Sequence, residues 1–126
     1  MIKNVRLFIL GTEFIPNQYT KERLAHEIYT ALECVEPQTK IIIELLLEDV
    51  KLFDKKQHDY GPNNISKFGV QGVLVRTNDK LERLINLYRD DRIPENESIE
   101  DTWQDLSIYG VIARAVIKDQ WDKVGG

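Results

Sequence analysis

The chain has 126 residues, of which 42% are hydrophobic and 30% charged, and its formal net charge at pH 7 is −4. This length corresponds to one domain with a core of its own, and the composition is that of an ordinary globular protein. The acidic balance argues against a general nucleic-acid-binding surface, which would be basic. Cys34 is the only cysteine. An internal disulfide and a cysteine metal cluster are therefore excluded, and a reducing cytoplasm is the expected compartment.

The N-terminal apolar run is short, because Gly11 and Glu13 interrupt it. No small-residue cleavage site follows, so the run does not resemble a signal peptide. No other stretch approaches the roughly 18 apolar residues that span a bilayer. We therefore expect a soluble cytoplasmic protein that makes no membrane contact.

Residues 1–19 form a separate arm in this interpretation. Val5, Leu7 and Ile9 occupy alternate positions, which favours a strand. A strand needs another chain or element to pair with its backbone. A docked arm or a short helix is the alternative, and Pro16 ends the segment in either case.

Helix signals dominate the rest of the chain. Thr20 and Ser98 are typical N-cap residues, and Asp101 takes the place of the capping-box glutamate after Ser98. The predicted helices span residues 20–35, 37–57, 69–88 and 98–118. We therefore predict an all-α fold, an antiparallel bundle of about four helices over residues 20–118, followed by a frayed tail at 119–126.

The second predicted helix is apolar nearly all round over residues 41–53, which indicates deep burial. A buried strand at 41–43 is the competing interpretation. Glu44 and Glu48 lie one helical turn apart in this segment. They either face a solvated edge or belong to an acidic site, because a lone buried carboxylate is costly.

Residues 58–67 predict a loop, since Gly61-Pro62 and Asn63-Asn64 are strong turn signals. Asp59 could bind a ribose or a base edge, and Tyr60 could stack on a base. Equally, Asp59 could cap the turn and Tyr60 could anchor it to the core.

A charged stripe follows on the third predicted helix. Arg76, Asp79, Lys80 and Arg83 fall three and four residues apart, and Asn86 extends the stripe by a turn. Arg76, Lys80 and Arg83 are suitable contacts for a triphosphate. The simpler interpretation is a solvated basic face in which Asp79 pairs with Arg83.

A second, acidic stripe follows on the fourth predicted helix, where Glu97, Asp101 and Asp105 are spaced by four residues. Facing helices of a bundle are a common place for a hard-cation site built from carboxylates. Alternatively the face is solvated, and Asp101 is an acid favoured by the helix dipole.

Residues 55–115 also resemble a known family. DYGPNNISKFG at 59–69, R-x-x-D-K-x-x-R-L-x-N-L at 76–87 and P-x-N-E-S-x-x-D-T-x-x-D-x-x-x-Y at 94–109 are similar to the nucleotide-modification-associated domain of phages and bacteria. That family is regarded as a distant relative of the MazG and dimeric dUTPase group of all-α nucleoside-triphosphate pyrophosphohydrolases.

The resemblance implies a MazG-like fold and Mg²⁺-dependent cleavage of a (deoxy)nucleoside triphosphate, with Asp79, Asp101 and Asp105 as ligands of Mg²⁺ or Mn²⁺. The MazG group uses E-x-x-E and E-x-x-D, whereas this chain has D-x-x-E at 79–82 and D-x-x-x-D at 101–105. A remaining carboxylate, Glu48, would act as the catalytic base. The departure from the motif motivates an alternative, a non-catalytic protein that binds or sequesters a nucleotide and serves as a partner in DNA modification or anti-defence.

Self-association is also expected. The second helix is apolar on more than one face, and Trp103 and Tyr109 add large surfaces to the fourth helix. A leftover apolar face implies a partner, and the resemblance implies a homodimer or a higher homo-oligomer. The segment 5–10 could add to that interface by docking on its symmetry mate.

Overall fold

The computed structural model describes residues 7–9, 12–14 and 20–123, the first two segments by their backbone alone. The all-α fold is confirmed, with one short hairpin added. The strands are β1 (Leu7–Ile9) and β2 (Thr12–Phe14), and the helices are α1 (Lys21–Ala31), α2 (Gln38–Tyr60), α3 (Asn63–Ser66), α4 (Gly69–Arg89) and α5 (Ile99–Ile117). The chain divides into two compact units, 1–48 and 49–126.

The predicted N-terminal strand is present as β1. It pairs antiparallel with β2, and the register places Leu7 opposite Phe14 and Ile9 opposite Thr12. The partner strand is thus the next segment of the same chain. Val5 and Pro16 lie outside the described residues.

Helix α1 begins at its predicted cap, where Thr20 Oγ1 accepts a hydrogen bond from Arg23 N at 3.1 Å. It ends at Ala31, four residues before the predicted end at residue 35. The physical cause is a Schellman motif, in which Cys34 N donates to Tyr29 O and Glu33 adopts a left-handed φ of 55°.

The same motif ends α4 and α5. Arg92 N donates to Leu87 O and Gln120 N donates to Ala115 O. The left-handed residues are Asp91 and Asp119, with φ values of 49° and 56°. Each of these three helix ends therefore places an acidic residue where glycine is usual.

Helix α2 confirms the helical interpretation of residues 41–43 but contradicts the expected deep burial. Ile43 is buried, whereas several neighbouring apolar side chains are exposed. The exposed ones are Ile41, Ile42, Leu45, Leu46 and Val50. Apolar residues on every side of a helix exceed the one stripe that neighbouring helices cover, so the surplus faces solvent.

The loop predicted at 58–67 is shorter than expected, because α3 lies inside it. Gly61 makes the turn with a φ of 69°, and Pro62 is the N-cap of α3, where its ring holds φ at −76°, a helical value. Pro62 O also accepts a hydrogen bond from Trp121 Nε1 at 3.1 Å. The predicted frayed tail is therefore wrong at Trp121, which is half-buried and packs on the core.

The core of the C-terminal unit is centred on Ile65, Val73 and Ile112. Phe53 packs against it and meets Trp121 edge to face, with ring centroids 6.1 Å apart. Helices α2, α3, α4 and α5 thus share one apolar centre, which fixes the walls of the cleft beside it. Within the described part of the chain, no helix has the length and apolar character needed to cross a membrane.

Candidate functional site

A cleft of about 480 Å³ opens beside this core, within the C-terminal unit. Helices α2, α3, α4 and α5 and the segment before α5 contribute to its walls. We call it the charged cleft because six ionisable side chains other than tyrosine line it, three acidic and three basic. They are Asp49, Lys56, Arg76, Lys80, Glu97 and Asp105.

Asp105 lies at the centre of the charge pattern. Its Oδ1 accepts a hydrogen bond from Lys56 Nζ at 3.1 Å, and its Oδ2 lies 2.9 Å from Lys80 Nζ. Burial raises the pKa of the Asp105 carboxyl, but hydrogen bonds from Lys80 and Lys56 outweigh burial, so this pKa lies below its usual 3.8. The carboxylate is therefore ionised throughout the neutral range.

Lys80 forms ion pairs with two acidic side chains of the cleft, Asp105 and Glu97. Its Nζ also donates to the Glu97 carboxylate at 3.1 Å. Burial lowers the pKa of Lys80, whereas the hydrogen bonds to Asp105 and Glu97 raise it, and the net pKa is above its usual 10.5. Lys80 is therefore a fixed cation whose charge two carboxylates already balance.

Arg83 supports Glu97 from the other side. Its guanidinium donates to Glu97 O and, at 2.5 Å, to the hydroxyl of Thr102, which is fully buried. Thr102 Oγ1 in turn donates to Glu97 Oε2 at 2.9 Å. These bonds satisfy a buried hydroxyl and fix the start of α5 against α4, so Arg83 has a structural role in this arrangement.

Arg76 differs from the other cations. It is half-buried in the cleft wall, and its Nη2 donates to the backbone oxygen of Asn64 at 3.1 Å. No carboxylate among the described residues pairs with it. The remaining guanidinium donors are therefore free to bind an anion.

Two tyrosines give the cleft aromatic surface. Tyr60 ends α2 and is 67% exposed, whereas Tyr109 packs against the core. Burial, and then the negative charge of Asp105, raise the pKa of the Tyr109 hydroxyl above its usual 10.0. Tyr109 is consequently a neutral hydroxyl at physiological pH.

Four of the predicted site residues meet in the cleft, namely Tyr60, Arg76, Lys80 and Asp105. Asp79, Arg83 and Asn86 line a shallower depression on α4. Asp59 and Asp101 are exposed and line neither. Glu48 belongs to the N-terminal unit, where its carboxylate accepts a hydrogen bond from Lys21 Nζ.

The predicted metal ligands are not assembled as a metal site. Both oxygens of Asp105 face lysines, while Asp79 and Asp101 lie outside the cleft. Among residues 20–123 no three His, Cys, Asp or Glu side chains are grouped to hold a metal ion. The donor set does not fit Mg²⁺, which requires several converging oxygens, and the magnesium site stays a prediction.

Two charged cleft residues, Asp49 and Lys56, were missed from the sequence, whereas Glu97 was recognised as part of the acidic stripe but given no role. Ser107 Oγ donates to the buried Asp49 Oδ2 at 2.8 Å. A sequence signal existed for Asp49 and Lys56, because they lie seven residues apart and so share a face of α2. Which other helices lie against that face of α2 depends on tertiary packing, and the spacing of residues within α2 does not reveal it.

Comparisons with family models, with curated proteins and with solved structures find no match. The resemblance of residues 55–115 to the nucleotide-modification-associated family therefore stays a hypothesis based on residue pattern.

The Asp105→Asn substitution should lower the free energy of unfolding at pH 7 by about 1–2 kcal/mol, because two lysines lose a charged acceptor. The folded pKa of Asp105 lies below its unfolded value, so this stability is complete above the unfolded pKa and is lost as pH falls through the folded one. Urea unfolding of the wild-type and Asp105→Asn proteins between pH 7 and pH 2.5 measures this difference in the free energy of unfolding.

The matched control is Asp101→Asn, one helical turn earlier on α5 and exposed, which should cost about 0.5 kcal/mol. Equal losses for the two variants at pH 7, or a gap between Asp105→Asn and wild type that does not shrink in acid, would contradict the role given to Asp105.

Proposed function

We propose that the charged cleft binds a nucleotide through its phosphate groups. The observation that supports this most strongly is Arg76, a half-buried guanidinium in the cleft wall for which the described residues supply no carboxylate. A cation that is partly desolvated and uncompensated is unfavourable until an anion joins it. Phosphate is the anion whose geometry a guanidinium fits in a bidentate manner.

The size of the cleft suits such a ligand. Small-molecule sites occupy roughly 300–1,000 Å³, and this one measures about 480 Å³. Apolar residues such as Phe53 and Ile108 share its wall with the charged groups. A cleft with apolar walls and a few convergent polar groups is the usual form of a ligand site.

The other cations favour a phosphate group next to Arg76 rather than a plain carboxylate ligand. Among the side chains that the structure describes, Asp105 alone holds Lys56 Nζ, and the Lys56 side chain is 48% exposed. It is therefore free to exchange Asp105 for a second phosphate oxygen. Lys80 stays bound between Asp105 and Glu97, which keeps those two acids from repelling the ligand.

Tyr60 favours a ligand that carries a base as well as phosphate groups. Its ring is 67% exposed and borders the cleft. Stacking of a base on an exposed aromatic ring contributes about 1–3 kcal/mol. A nucleotide would satisfy Arg76 with its phosphates and cover Tyr60 with its base.

The Arg76→Ala substitution should weaken nucleotide binding about 10- to 100-fold, the loss of one charge-assisted contact of about 1.5–3 kcal/mol. Calorimetric titration with each common NTP and dNTP, with and without Mg²⁺, measures this. Arg114→Ala is the matched control, because Arg114 is exposed on α5 and does not line the cleft. Its affinity should equal that of wild type. Flat titrations of wild type against all nucleotides would refute the proposal.

Hydrolysis of the bound triphosphate to monophosphate and pyrophosphate is the second candidate. It is favoured by the acids Asp49, Glu97 and Asp105 in the same cleft as the cations. Incubation of the protein with each NTP and dNTP plus Mg²⁺ or Mn²⁺, followed by separation of the products, should then show turnover that Asp105→Asn abolishes. Binding without any product would leave nucleotide sequestration as the function.

Self-association is part of the proposal. Exposed apolar side chains occur on α2 and on α4, among them Leu45 and Leu46 on the first and Leu74 and Leu81 on the second. One such face is enough to support a homodimer, and both together support a higher homo-oligomer. Light scattering at micromolar concentration should give at least twice the chain mass of 14.7 kDa, and a mass of one chain at every concentration would refute this part.

A further inference from the structure

One exposed face of α4 repeats every seven residues. Leu74, Leu81 and Tyr88 form one row, and a second row lies beside it at residues 71, 78 and 85. Together we call these two rows the α4 seam, and all six of its side chains are exposed. They are Gln71, Leu74, Asn78, Leu81, Ile85 and Tyr88.

The seam is not the face by which α4 packs in its own unit. That packing uses Val73, Leu84 and Leu87, which are buried. The centre of the seam lies about a third of a turn from the centre of that buried face, although Leu81 and Tyr88 lie only about 60° and about 40° from Leu84, since consecutive helical residues differ by about 100°. Helix α4 thus carries two apolar faces, and within residues 49–123 the packing of its own unit buries one of them.

We propose that the α4 seam pairs, in parallel, with the α4 seam of a second copy of this chain. A strict seven-residue repeat of two rows is the pattern of a coiled coil. Three of the six positions, Leu74 and Leu81 in one row and Ile85 in the other, carry the residue types that favour two parallel strands. Parallel pairing places each seam residue opposite its own copy.

Asn78 indicates that the partner of the α4 seam is a second copy of this chain. It is the polar residue in the middle of the seam, flanked by Leu74 and Leu81, while the second polar residue, Gln71, lies at the N-terminal end. Each side-chain amide has both donors and an acceptor, so two copies of Asn78 satisfy each other across a two-fold axis, as two copies of Gln71 do. An asparagine inside this row fixes register and a two-stranded state, whereas an unrelated partner would need matching amides at the same places.

The area also suits a pair of copies. Val75 and Trp103 border the seam, and Trp103 Nε1 donates to Tyr88 Oη at 3.1 Å, which holds its ring there. The apolar side chains of seam and border are 45–62% exposed. Complete burial of their exposed surface in two copies would amount to on the order of 1,200 Å², an upper bound that reaches the lower limit of specific stable interfaces.

This inference rests on the proposed self-association and is independent of nucleotide binding. Leu81 and Leu45 make a matched pair, because each is a leucine with 45% of its surface exposed, on α4 and α2 respectively. Leu81→Asp should raise the dimer dissociation constant on the order of 100-fold or more, since it places two like charges in the seam. Leu45→Asp should leave it unchanged.

Sedimentation velocity over a concentration series measures both constants, and circular dichroism verifies that both variants are folded. A wild-type chain that is monomeric throughout overturns the inference together with the proposed self-association. A dimer that Leu45→Asp dissociates and Leu81→Asp does not overturns the seam alone.

A cross-link tests the orientation even where Leu81→Asp fails to fold. In a Cys34→Ser background, Asn78→Cys should form a covalent dimer on mild oxidation, because parallel pairing brings the two positions within disulfide reach. Asn86→Cys, which is also exposed on α4 but lies outside the seam, is the control and should stay a single chain. A non-covalent dimer in which Asn78→Cys does not cross-link overturns the parallel seam.

Discussion

The carboxylate of Asp105 joins three helices at one point. It receives Lys56 from α2 and Lys80 from α4, and it belongs to α5 itself. Two lysines this close would repel each other without the acid between them. The spacing of the three helices around the cleft therefore depends on one side chain, and Glu97 extends the same pattern through Lys80 and Arg83 to the buried hydroxyl of Thr102.

The residues at each helix start predicted correctly where the helices begin. The sequence predicted poorly which side chains of a helix are buried and which are exposed. Thr20 and Ser98 are caps in the structure, as expected, because a cap needs only the next three residues. The end of α1 and the presence of α3 were missed, since both depend on hydrogen bonds that any short polar segment can form. The exposure of Leu45 and Leu46 was missed because burial depends on how many neighbours a helix has.

For the cleft, spacing identified some of the residues that α4 and α5 contribute but not the face of α2 that lies against them. Arg76 and Lys80 were predicted as neighbours on α4, and both line the cleft. Arg83 shares their stripe but turns its donors to Thr102 and Glu97. Asp101 shares a stripe with Asp105 yet lies on the exposed first turn of α5. A row of residues spaced by four positions turns gradually around the helix axis, so the residues at its two ends contact different neighbours.

The acidic residues in the left-handed position at the ends of α1, α4 and α5 have a consequence for the thermal behaviour of the protein. Glu33, Asp91 and Asp119 each adopt a conformation that costs a side-chain-bearing residue on the order of 1 kcal/mol, beside a helix end that already carries partial negative charge. These costs are avoidable, since glycine fits the same turn. These three helix ends are therefore less stable than the fold permits, and they are places where stabilising substitutions are available.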